Sequence, residues 1–351
     1  MLLSEISING RPIGPEHPVY IIAEISGNHH QNYNEAAMLL RAAKDCGVDA
    51  VKLQTYTPDS ITMNVDSPMF RHDRDSPWAN EALYSLYERA YMPWEWQPRL
   101  KAIADDLHIT LFSSPFDSSA IDFLETLNVP AYKIASFELV DIPLIKKAAS
   151  TGKPLIISTG MGTLSEIEEA VEAVQETRGK EVALLKCTSA YPSMPREMNL
   201  RTLPDLSQRF GLPVGLSDHT LGIHVAVASV ALGATIIEKH LTLSRSDPGP
   251  DSAFSLEPNE FKLLVEAVRE TEEALGTIRY EPTEREGESR RFRRSLFVVE
   301  DVSCGDALTP YNIRSIRPAA GISPKYYDEV LGRRVKSEVK RGTPLTWDLL
   351  V

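Results

Sequence analysis

Through the first three quarters of the chain, short continuous apolar runs alternate with longer stretches whose apolar positions recur every three or four residues. The runs at residues 19–26 (VYIIAEIS), 51–55 (VKLQT), 109–116 (ITLFSSPF), 131–136 (AYKIAS), 155–160 (LIISTG) and 182–190 (VALLKCTSA), and those opening at Val214 and Ile236, read as strands buried on both faces. Helical periodicity separates most of them, at residues 93–107, 117–127, 141–151, 164–178, 200–210 and 223–233. A helix follows the first strand, with Asn34 as its N-cap, an apolar face of Leu39, Leu40, Ala43 and Cys46, and Gly47 closing it. A last helix spans residues 258–275. Eight strands alternating with helices over roughly 250 residues predict an α/β fold of the (β/α)8 TIM-barrel type. The alternative is a doubly wound open sheet, which needs a reversal of strand order, and no GxGxxG follows the first strand.

Three stretches break the rhythm. Residues 3–13, with Asn9-Gly10 between short apolar alternations, predict a β-hairpin laid across the start of the barrel. Between Gln54 and Ile109 lies an insertion with Pro58, Pro68, Pro77 and Pro93, the polar run Arg71-His72-Asp73-Arg74-Asp75 and a short helix near residues 83–90. It leaves the carboxyl end of a strand, so it is either a lid or decoration. Residues 280–294 (YEPTEREGESRRFRR) are charge-dense, as a linker is. From there to the C-terminus, short apolar runs alternate with Gly and Pro. The expected organisation is a barrel domain at 1–280, a linker at 281–292 and a small β-rich domain at 293–351, marginal alone.

Composition narrows the function classes. A net charge of −12 over 351 residues argues against a general nucleic-acid binder. No apolar run approaches the ~20 residues needed to span a bilayer, and the start MLLSEISING lacks the pattern of a signal peptide. Cys46, Cys187 and Cys304 are widely spaced without a CxxC, which points to a reducing cytoplasm. Cys187 has no base beside it in sequence, so a nucleophilic role is disfavoured.

The candidate chemistry centres on residues 214–243. Two β-branched runs flank a helix of about three turns, and each ends on a histidine, His219 and His240. A strand–helix–strand unit of this length is a parallel crossover, so both histidines reach the same edge on strands roughly 5 Å apart. They either share a divalent metal or hydrogen-bond nearby carbonyls. Other strand ends carry Glu24, Lys52, Gln54, Ser113, Ser114, Lys133, Ser136, Glu138, Ser158, Lys186, Ser189, Ser217 and Glu238. Lys52, Lys133 and Lys186, inside apolar strands, either pair with Glu24, Glu138 or Glu238, or face an anionic ligand together with the hydroxyls. A Schiff-base aldolase would also place a lysine there, but metal and Schiff base are alternative ways to polarise a carbonyl.

Several motifs together resemble the sialic acid synthase family: IAEISGNHHQ (Ile22 onward), VKLQTYTPD (Val51), FSSPFD (Phe112), YKIASFE (Tyr132), ISTGM (Ile157), GLSDHT (Gly215), EKHLTL (Glu238) and PGPDSAFSL (Pro248). RRSL (Arg293) and IRPAAGISP (Ile316) resemble its SAF, or antifreeze-like, domain. SGNHHQ, LQTYTPD and TLSRSDPGPDSAFSLEP look most like the pseudaminic acid branch. The resemblance implies condensation of phosphoenolpyruvate with 2,4-diacetamido-2,4,6-trideoxy-altrose, or with the sugar of a sialic or legionaminic relative. It implies Mn2+ (or Mg2+ or Co2+) on His219 and His240, and phosphoenolpyruvate among Lys52, Ser114, Lys133, Ser136, Ser158, Ser189 and Ser217. It assigns acid–base work to Glu24 and Glu138, sugar contacts to Gln54, Tyr191 and Asp251, and a further contact to Arg317 from the partner subunit of a homodimer. Ser189 departs from the Asn usual in sialic acid synthases. A reading from another class makes the C-terminal segment an ice- or carbohydrate-binding module carried by the barrel.

Overall fold

The computed structural model describes residues 5–72, 78–79, 81–179, 181–247 and 249–351. It divides into two units, Met1–Gly276 and Thr277–Val351.

The first unit opens with an antiparallel hairpin, β1 (Ile6–Ile8) and β2 (Arg11–Ile13). Its turn uses Asn9 and Gly10, both at positive φ (52° and 78°), the geometry an Asn-Gly pair favours. Ile6, Ile8 and Ile13 are buried in the core of this unit. Eight parallel strands follow: β3 (Tyr20–Glu24), β4 (Ala50–Thr55), β5 (Thr110–Pro115), β6 (Tyr132–Ile134), β7 (Leu155–Ser158), β8 (Val182–Cys187), β9 (Val214–Asp218) and β10 (Ile236–His240). β10 pairs with both β9 and β3, so the sheet closes into a barrel in sequence order. That closure removes the doubly wound alternative. The intervening helices bury their apolar stripes on the barrel. The first helix is Tyr33–Asp45, and its cap is Asn32 rather than Asn34: the Asn32 side chain accepts from the Asn34 N–H at 2.9 Å. Sequence pattern alone did not separate two asparagines two residues apart.

Cross-strand register fixes which side chains share the barrel interior. Glu24 is level with His240 and Lys52, Gln54 with Ser114, Cys187 with Ser217, and Ser217 with Glu238. Register partners in a parallel sheet project to the same face. Glu24, Lys52, Ser114, Cys187, Ser217, Glu238 and His240 therefore form one inward set at the carboxyl edge, and Lys186, Asp218 and Lys239 point outward.

The insertion folds into a short helix Pro58–Ile61, capped by Thr57, and a second helix Leu83–Ala90. Part of its polar run, residues 73–75, lies outside the described residues.

In the second unit, β11 (Ser295–Val298) pairs antiparallel with β12 (Ile313–Ile316). Isolated bridges such as Val302 with Val339 extend the pairing around a separate apolar core that includes Leu296, Val335 and Leu345. The charge-dense segment is not featureless: Thr283 and Glu286 form a capping box that starts a helix, Glu284–Ser289.

Candidate active site

The inward set meets at the carboxyl end of the barrel. The His219 and His240 rings lie 5.3 Å apart between centroids at 60°. The turn after β8 holds His219: its Nδ1 lies 3.1 Å from the Thr188 carbonyl. An Nδ1–H donated there leaves the lone pair on Nε2. His240 Nδ1 is buried with no hydrogen-bond partner among the described residues. Phe254 packs on both rings, at 6.2 Å from His219 and 5.1 Å from His240, and Tyr191 lies 4.5 Å from His219. Burial and the neighbouring His219 hold His240 well below the usual imidazole range, so it stays neutral, as a ligand must be. Two imidazoles suit a transition-metal dication. No group of three His, Cys, Asp or Glu suited to a metal occurs among the described residues.

Beside the histidines, Lys52 pairs with Glu24 and lies 3.6 Å from Glu238, and Lys133 lies 3.5 Å from Glu238. Lys52 also donates to Ser114 (3.2 Å) and Lys133 to Ser158 (2.6 Å). Pairing with glutamate and convergence on hydroxyls thus coexist. Ser217 lies 3.4 Å from Glu238. Ser136 accepts the Gly160 N–H at 3.1 Å. A Cβ built on Gly160 would fall 2.6 Å from the Ser136 hydroxyl and 2.3 Å from that of Ser189, so only glycine lets both hydroxyls close on this amide. The seven residues assigned to the phosphoenolpyruvate set are therefore in one place, on the strands or strand ends of β4 to β9.

The three lysines do not all join this cluster. Lys186 is level with Leu216 and faces outward, where its ammonium bonds the Cys187 carbonyl (2.7 Å) and the Thr188 hydroxyl (3.2 Å). It stands one residue before the inward-facing Cys187, and that offset puts it on the other face.

The two central glutamates are pushed apart. Burial raises Glu24 above the usual carboxylate range, against the pull of Lys52. Burial acts on Glu238 too, but Lys133 and Lys52 outweigh it and leave it lowered. Divergent carboxyls of this kind mark one counter-ion and one proton carrier. Glu138 is raised to about 7 by burial, and its Oε2 has no partner among the described residues.

A cavity of about 490 Å³ opens over this edge, lined by Gln54, Glu138, Tyr191, His240 and Asp251. Ser26 donates to Asp251. Arg317 is exposed on the second unit, directly after β12. Two neighbours received no catalytic or substrate role from sequence, although Glu238 was expected as a lysine partner. Cys187 sits with Sγ 3.9 Å from His219 Nδ1 and from the Ser189 hydroxyl, and Glu238 bridges both lysines. The signal for both was parity: each shares the inward face with Ser217.

A closed parallel barrel with charged side chains massed at its carboxyl edge is the architecture of a barrel enzyme. Residues 39–280 match the NeuB family and residues 293–351 match the SAF domain. The pseudaminic acid synthase of Helicobacter pylori is 45% identical over 332 residues, covering 94% of this chain and 97% of that protein. A pseudaminic acid synthase of Campylobacter jejuni is 42% identical over 327 residues, covering 93% and 95%. The solved N-acetylneuraminic acid (sialic acid) synthetase of Leptospira borgpetersenii, a citrate complex, is similar at TM-score 0.72 and 32% identity, covering 82% of this chain and 95% of that one. The chain belongs to the NeuB family.

Proposed function

We propose that this protein condenses phosphoenolpyruvate with the open-chain aldehyde of 2,4-diacetamido-2,4,6-trideoxy-altrose, giving pseudaminic acid and phosphate. The observation that carries the chemistry is the inward rung of His240, Glu24 and Lys52, with Glu238 two residues before His240 on the same face and the Gly160 cradle at the same barrel end. The likeness to two pseudaminic acid synthases carries the choice of sugar.

Lys52 and Lys133 supply cations for the carboxylate and phosphate of phosphoenolpyruvate. Ser114, Ser136, Ser158, Ser189, Ser217 and the Gly160 N–H supply donors. His219 and His240 hold a divalent cation, Mn2+ or alternatively Mg2+ or Co2+. When bound, that ion supplies Lewis-acid polarisation of the aldehyde oxygen. Gln54, Tyr191 and Asp251 orient the sugar. The methylene carbon of phosphoenolpyruvate bonds to the aldehyde carbon. Glu138, protonated near neutrality, donates its proton to the resulting alkoxide. Glu24 orients the water that adds to the former enol carbon and accepts its proton. Collapse of the adduct breaks the C–O bond and releases phosphate. Arg317 reaches the sugar from the SAF domain of the partner subunit, which makes the working enzyme a homodimer. No helix among the described residues is long and apolar enough to cross a membrane, and the free thiols suit a cytoplasmic enzyme.

The test is phosphate release from phosphoenolpyruvate with Mn2+, using the altrose-configured diacetamido sugar, its legionaminic counterpart and N-acetylmannosamine in parallel. Turnover with the first alone is expected. Turnover with another sugar instead would move the assignment within the family, and silence with all three would remove it.

A further inference from the structure

The cavity has two unlike walls. One carries His240, Glu138, Asp251 and Gln54. The other is built by the insertion and its neighbours: besides His72 and Trp78 it holds the mainly apolar cluster Tyr56, Ile61, Leu83, Leu86, Tyr87 and Phe116. Leu83, Leu86, Tyr87 and Ala90 recur at helical spacing, so one face of helix Leu83–Ala90 looks into the cavity. Tyr56 stands edge-on to Tyr87 at 5.8 Å and to Phe116 at 5.2 Å, which fixes the aromatic corner. Leu86 is buried and Leu83 and Ile61 are half-buried. Four of the six side chains have no polar atom. The other two are tyrosines, and burial keeps the Tyr56 phenol protonated.

We infer that this wall is the specificity element for the end of the sugar farthest from the aldehyde: it receives a terminal methyl group and disfavours a terminal hydroxymethyl. The inference rests on the function proposed for this same site. Under the proposed function the aldehyde sits at His219 and His240, the residues that would hold the cation. An open-chain hexose running from that point through the same cavity has the apolar cluster of the insertion to receive its last carbon. A 6-deoxy sugar presents a methyl there and buries it against leucine, isoleucine and phenylalanine. A 6-hydroxy sugar brings an OH that those four side chains cannot satisfy, and an unpaired buried hydroxyl is costly. Apolar pockets reject an added hydroxyl by no more than about 100-fold, so the preference is bounded. The insertion, lid or decoration by sequence, thereby acquires a definite task.

The test compares kcat/KM for 2,4-diacetamido-2,4,6-trideoxy-altrose with that for its 6-hydroxy counterpart, in the full-length protein with Mn2+. The wild type should prefer the deoxy sugar by about 10- to 100-fold. Leu83→Asn, at a half-buried position, should cut that ratio at least five-fold by offering the hydroxyl a partner, while KM for phosphoenolpyruvate stays put. Leu86→Asn should act in the same direction if it folds, and Leu83→Asn carries the test alone if it does not. Robust turnover of both sugars at equal efficiency, or a ratio unmoved by Leu83→Asn, would overturn the inference and leave the parent reading standing. Silence with every sugar would overturn both.

Discussion

Lys239 and Asp218 form an ion pair at 2.7 Å on the outer face of the barrel, with both side chains wholly buried. They are register partners on β10 and β9, each one residue before a site histidine. Lys239 also donates to the Thr220 carbonyl (2.6 Å), and Asp218 accepts the Thr220 N–H (2.9 Å) and hydroxyl (2.8 Å). The pair therefore clamps the turn that carries His219 to the strand that carries His240. Removing one partner of such a pair leaves an uncompensated buried charge. Lys239→Met should cost about 3–5 kcal/mol of stability, and the double variant with Asp218→Leu less than the two single losses added. Urea unfolding measures both. A Lys239→Met loss under about 1 kcal/mol, the level of a surface pair, would contradict the clamp.

The barrel was legible because its strands are buried on both faces and read as unbroken apolar runs, while its helices keep a helical period. The candidate residues were legible for a related reason: a Lys, Glu or His inside such a run is conspicuous. Face was harder to read. Lys133 and Lys186 look alike in sequence, yet one points in and the other out, because cross-strand register decides it and a single chain does not display register. Cys187, given no base beside it in sequence, was left out of the site for the same reason. The helix at residues 83–90 was legible in the insertion, but that Leu83 and Leu86 line the cavity was not, because the sequence does not show which face of that helix the cavity meets.

Glu138 gives the site a pH signature. Burial lifts it to about 7, so it is protonated below that value and ionised above it. As the general acid, it should make kcat/KM fall as pH rises through about 7. Glu138→Gln should abolish that limb and lower kcat by about 10²- to 10⁴-fold. Stability follows the same sign. The native state holds this proton more tightly than the unfolded chain, so between the ordinary carboxylate value of 4.5 and about 7 stability falls as pH rises. The glutamine variant should lose that slope. A rate profile unchanged in Glu138→Gln would remove the acid role.

The two histidines should be inseparable in their effect. His219→Ala and His240→Ala each leave one imidazole, too few protein ligands to retain a dication at working concentrations. Lewis-acid stabilisation contributes several kcal/mol, so each variant should lose about three orders of magnitude in kcat. Chelation of the wild type should do the same, reversibly on adding Mn2+. Electron paramagnetic resonance titration of Mn2+ reports binding without turnover and should show weakened binding in both variants. Either variant binding Mn2+ like the wild type would displace the metal from this pair.

The assignment of Arg317 to a partner's site can be tested by mixing two dead proteins. Arg317→Ala should raise KM for the sugar or abolish turnover, because the guanidinium supplies fixed, always-charged donors that alanine lacks. His240→Ala should be inactive through loss of the cation. If each SAF domain serves its own barrel, a mixed dimer contains one site lacking His240 and one lacking Arg317, and mixing restores nothing. If the domains are exchanged, one barrel with intact His240 meets the intact Arg317 of its neighbour, and the other site carries both defects. Subunit exchange followed by a phosphate-release assay should then recover a fraction of wild-type turnover that grows with the heterodimer population. Activity that stays at the level of the two parents, with heterodimers present by native mass spectrometry, would assign Arg317 to its own chain's site or to none.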